Sequence, residues 1–144
     1  MESSDETIPT EDPDTVVKTP RFLVATVASH PDRRRVGDRA TMGALAGANR
    51  RWTLSRQQPE FETSDGDSAP LAEPHISRKP IEVTSLADGI RIDNPHGGSL
   101  SVDGHPVSRT VELAHAALDR GIVLRLGWVV VVLRAETHFE RGVA

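Results

Sequence analysis

Apolar residues in this chain come in short runs broken by polar and turn-forming ones. Phe22-Leu23-Val24-Ala25-Thr26-Val27 reads as a buried strand, ended by the turn residues His30-Pro31-Asp32. Trp52-Thr53-Leu54 alternates. Ile81 and Val83, then Ile90 and Ile92, mark two strands joined near Asp88-Gly89. Leu100 to Val102 and Pro106-Val107 flank Asp103-Gly104, and both pairs are hairpin signals. Arg109 to Leu113 extends the edge, and Ile122 to Leu124 with Val129 to Leu133 form a last pair around Leu126-Gly127-Trp128. Val111 to Gly121 offers good helix formers and a terminal Gly, so a short helix before that hairpin is the alternative there. Many short strands separated by Gly, Asp, Asn and Pro predict an all-β sandwich of antiparallel strands.

Length and charge refine this picture. The 144 residues suit one domain with a real core, built from aliphatic side chains because only 3% are aromatic. Residues 1–18 hold six acids and one base; taking these from 21 acids and 17 bases leaves 15 and 16 for the rest. The acidity therefore sits in a tail rich in Ser, Thr and Pro, and 1–19 is expected to be disordered. The sandwich is expected over 20–135 and a linker over 136–144. A near-neutral remainder, with no second helix for a helix-turn-helix, disfavours direct nucleic-acid binding. The absence of Cys excludes disulfides, thiolate metal sites and a Cys nucleophile. No segment resembles a signal peptide or is apolar enough to cross a bilayer, so the expectation is a cytoplasmic protein without membrane contact.

Catalytic and metal-binding patterns are missing. The six histidines have no zinc or metal-protease spacing, and Ser64 to Ser68 lacks a calcium-loop pattern. Ser77 has no visible His-Asp partnership. Glu60 and Glu62 are expected to face water. Trp52 and Trp128, set among strands, are expected in the core. No enzyme, cofactor or metal follows from this chain.

Three stretches carry a resemblance: Ile76-Ser77-Arg78-Lys79-Pro80-Ile81, Ile90-Arg91-Ile92, and Leu100-Ser101-Val102-Asp103-Gly104. Their order resembles the forkhead-associated (FHA) domain, a phosphothreonine-reading β-sandwich. Arg35-Val36-Gly37-Asp38, Leu54-Ser55-Arg56, Pro59-Glu60-Phe61 and Pro70 to Pro74 narrow the likeness. They resemble the divergent N-terminal FHA domain of bacterial sigma-54-dependent transcriptional regulators. Ordinary members carry Gly-Arg, Ser-Arg-x-His and Asn-Gly-Thr. Here Asp38 follows Gly37, Pro80 stands at the histidine, and Gly97-Gly98-Ser99 occupies the asparagine loop. Arg134 to Val143 looks like the link towards the regulator's ATPase, but the chain has no Gly-x-x-x-x-Gly-Lys-Ser/Thr loop of its own.

The resemblance implies a recognition module that controls a sigma-54-type activator through a phosphorylated or unmodified protein partner, the adjoining ATPase module included. It implies that Ser77 and Arg78 meet the phosphate, with Ser55-Arg56 as a second such pair. Arg35 or Arg39, clustered with Arg33 and Arg34 around the first loop, is the candidate replacement for the arginine that Asp38 displaces. An Asp38 carboxylate repels phosphate unless a neighbouring Arg pairs with it, and in that alternative these residues only hold loops together. Two further readings stay open. One is a stand-alone adaptor switched by phosphorylation of its own tail (Thr7, Thr10 or Thr15), and the other a phosphate-independent docking domain.

Overall fold

The computed structural model describes residues 21–46, 49–74, 76 and 80–137. The predicted tail, Ser77, Arg78, His138, Arg141 and Gly142 lie outside them. Among the described residues, twelve strands run β1 Arg21–Ser29, β2 Arg39–Ala44, β3 Arg51–Leu54, β4 Phe61–Glu62, β5 Ser68–Ala69 and β6 Ile81–Leu86. They continue as β7 Gly89–Asp93, β8 Leu100–Val102, β9 His105–Pro106, β10 Thr110–Ala114, β11 Ile122–Leu126 and β12 Val129–Thr137. The helix α1 covers His115–Arg120, and a 3-10 turn covers Arg33–Arg35. The strands form two antiparallel sheets, ordered β5-β4-β2-β1-β12-β11-β8-β9 and β10-β7-β6-β3. The expected all-β sandwich of antiparallel strands is what the described residues form.

Alternation builds the core. Leu23, Ala25 and Val27 of β1, Val129, Val131 and Leu133 of β12, and Ile122, Leu124 and Leu126 of β11 point inward from the large sheet. Leu54, Ile81, Val83, Ile90 and Ile92 face them from the small one. Phe61, Leu71 and Ile76, from the long excursion between β3 and β6, join the same cluster. Each of these Val, Leu, Ile and Phe side chains contributes roughly 1.5–3 kcal/mol on burial, so the aliphatic core offsets the shortage of aromatics.

Several local expectations change. The stretch Val111 to Gly121 is half strand and half helix: β10 pairs with β7 through Ala114, and α1 starts only at His115. Gly121 ends α1 at φ 98, as a helix-terminal Gly should. The Ser64–Pro70 loop contains β5, which pairs with β4. At the first hairpin the turn is Ala87-Asp88, and Gly89 opens β7, where a Cβ would stand 1.9 Å from the Leu113 carbonyl oxygen. The second hairpin keeps the turn conformation its sequence announces, with Asp103 at φ 49 and Gly104 at φ 86. β12 continues to Thr137, beyond the expected boundary at 135.

Candidate functional site

One end of the sandwich gathers the loops that the sequence singled out. β1 ends there at Ser29, opposite Val130 near the start of β12, while Leu54 at the end of β3 pairs with Ile81 at the start of β6. The loops 30–38, 55–60 and 94–99, residues 70–74 and the Gly127-Trp128 turn therefore share this end.

Ser55 and Arg56 open its 55–60 loop. The Ser55 N–H donates to the Gln58 carbonyl at 2.7 Å, and its Oγ accepts from the Gln57 N–H at 3.1 Å. Ser55 is buried and its hydroxyl already closes this turn. Arg56 reaches outward. Its carbonyl accepts from the Ala72 N–H at 3.0 Å, and its guanidinium makes a long bond, 3.4 Å, to the Pro74 carbonyl. Arg56 thus faces the 72–74 segment. Ala72 holds φ 58, a left-handed conformation uncommon for a residue with a Cβ. The bond to Arg56 and the grip on neighbouring Leu71 keep it there.

Leu71 is held from two sides. The Asp32 N–H donates to His30 Nδ1 at 2.9 Å, which places the imidazole proton on Nε2, the donor to the Leu71 carbonyl at 2.9 Å. Arg35 donates to the carbonyls of Ala69 at 3.1 Å and Leu71 at 3.5 Å, and its Nε meets Asp38 Oδ2 at 2.6 Å. Asp38 is therefore the paired carboxylate of the alternative reading, and the Arg35 charge is spent inside the protein.

Arg39 is spent elsewhere. It bonds Glu136, and the register puts Arg39 opposite Thr26 and Glu136 opposite Phe22. The pair crosses β1 diagonally on the outer face of the large sheet, above Val24, which lies between those positions and is fully buried. Arg34 is bonded bidentately by Asp32 in full solvent, so each raises the charged fraction of the other: Asp32 is held below the usual carboxylate value and Arg34 above its own. Of the candidates, Arg35 and Arg39 are committed to ion pairs with Asp38 and Glu136, whereas Arg56 is bonded to the Pro74 carbonyl, and Ser77 and Arg78 lie outside the described residues.

Asn94 is the residue that the sequence reading missed. It is buried, its N–H donates to the Arg109 carbonyl at 2.6 Å, and its Nδ2 donates to the carbonyls of Gly98 at 2.8 Å and Val107 at 2.9 Å. One side chain thus closes the 94–99 loop and ties it to the chain entering β10. The Asn-Pro step at 94–95 was a turn signal, but not one that announced a buried clamp. Beside it, burial opposes ionisation of Asp93, yet bonds from Thr110 and Arg91 with the Arg51 charge outweigh it and hold the carboxyl below its ordinary value.

Trp128 departs from expectation. Trp52 packs partly against the core, but Trp128 is 63% exposed at the tip of the β11–β12 turn. The turn needs Gly127 at φ 57, and its projection leaves the next side chain outside both sheets. Glu60 and Glu62 do face water. Among the described residues no cluster of His, Asp and Glu is arranged to hold a metal ion, and no helix is long and apolar enough to cross a membrane.

No protein-family model matches the chain, and no curated protein sequence matches it. Solved structures do. The FHA domain of the CT664 protein from Chlamydia trachomatis superposes with TM-score 0.52 at 13% identity, over 78% of this chain and 96% of that one. The FhaA FHA domain, solved in complex with the intracellular domain of Rv3910, matches with TM-score 0.47 at 17% identity, over 78% and 99%. The first of these likenesses establishes that the chain has the fold of a forkhead-associated domain.

Proposed function

We propose that this chain is a non-catalytic recognition module that binds a protein partner through the loop end, with phosphothreonine held by Arg56 together with Ser77 and Arg78. The observation that carries the reading is the disposition of Arg56. Its guanidinium is held at the loop junction by a single long bond to a carbonyl, with no carboxylate on it among the described residues. Phosphate recognition needs such a donor fork on a positioned loop, and a charge-assisted contact of this kind contributes roughly 1.5–3 kcal/mol. Arg35 lacks that freedom, because releasing it would strand the buried Asp38 carboxylate. The motif set further supports a place in a sigma-54-type regulator, where partner binding at this end would govern an ATPase module.

Calorimetric titration with degenerate phosphothreonine peptide pools, each paired with its unphosphorylated twin, tests the reading. Phosphate-dependent binding that falls about tenfold or more in Arg56→Ala and is unchanged in Arg39→Ala supports it. Equal binding of both twins makes the end a phosphate-independent docking surface. Binding unaffected by Arg56→Ala removes the loop end from the account.

A further inference from the structure

The chain has two Trp, three Phe and no Tyr. One of these scarce large aromatics, Trp128, is the most exposed large hydrophobic side chain among the described residues. A solvent-facing indole presents a large apolar face, the property that concentrates binding energy at interfaces. Val36, 50% exposed, stands at the same end. The Gly37 N–H bonds the Val27 carbonyl on the β2 side of β1, while Trp128 precedes β12 on the other side, so the two flank the end of β1.

Trp128 is also continuous with the Arg56 junction. Val130, two residues on, is opposite Ser29; His30 follows and bonds Leu71; Ala72 follows and bonds Arg56. By chain and strand spacings this path is about 30 Å or less, which about nine extended residues span. The surroundings set the chemistry. Arg33 and Arg125 are exposed at or near this end, so a cationic side chain is disfavoured over the indole and an apolar one is not.

We propose that Trp128 is a specificity-determining contact, receiving an apolar side chain of an extended partner peptide within about nine residues of the group held at Arg56. This rests on the loop-end reading and adds to it a second, apolar determinant distant from the phosphate.

The test is a phosphothreonine peptide library randomised over nine positions on each side, titrated against wild type, Trp128→Ala and Arg56→Ala. The expected result is selection of Leu, Ile, Phe or Pro at one outlying position. Trp128→Ala should lose that preference and bind the selected peptide about tenfold or more weakly, with an unchanged thermal midpoint. Arg56-dependent binding with no apolar preference, or with Trp128→Ala equal to wild type, overturns this proposal alone. No binding by any pool, or binding indifferent to Arg56→Ala, overturns the loop-end reading and this proposal with it.

Discussion

Arg35 Nε and Asp38 Oδ2 stand 2.6 Å apart in a buried pair, with side chains 13% and 2% exposed. The pair spans the Gly37 turn at φ 96 and fastens the first loop to the 69–71 segment. It also decides which arginine is available for a partner.

Removing either member should cost stability, but unequally. Arg35→Ala leaves Asp38 buried without its cation and should lose about 3–5 kcal/mol. Asp38→Asn leaves Arg35 with the Ala69 and Leu71 carbonyls and some solvent, so its cost should be clearly smaller. Urea unfolding of both variants checks the order.

Asn94→Ala strands the Gly98 and Val107 carbonyls. The expected loss is about 2–3 kcal/mol. Amide exchange should accelerate in the 94–99 loop and at the entry to β10, while β1 and β12 stay protected.

Gly89→Ala places a methyl against the Leu113 carbonyl, where backbone cannot swing aside as a side chain does. Separating β10 from β7 should cost about 3 kcal/mol and unprotect β10 amides first. A variant as stable as wild type would mean that this edge pairs differently.

Asp93 supplies the pH dependence. Its folded value is lowered from 3.8, so its contribution is present above that value and is lost as pH falls through the lower folded one. The stability gap between wild type and Asp93→Asn should thus be full at pH 7, constant down to about pH 5, and shrink below about pH 4. A gap that widens on acidification would contradict the assignment.

Much of this fold is legible because its signals are local. Asp103-Gly104 demands one turn type, and alternation in Ile81 to Val83 and Ile90 to Ile92 fixes which side chains enter the core. The unread parts depend on distant partners. β4 and β5 have two residues each and exist only because β2 offers an edge. Arg39 looks like Arg56 in sequence until the register sets Glu136 across β1 from it. Asn94 finds its acceptors 4 and 13 residues ahead, and Trp128 is exposed by the geometry of its turn rather than by its neighbours in sequence.

The most direct measurement is backbone-amide NMR of the full chain titrated with a phosphothreonine peptide selected from the library. The account predicts shifts at Arg56, Ala72 and the 94–99 loop, absent with the unphosphorylated twin and abolished in Arg56→Ala. It also predicts that Val24 and Arg39, on the outer face of the large sheet, stay unmoved. Shifts confined to the outer sheet faces, with the loop end silent, would contradict it.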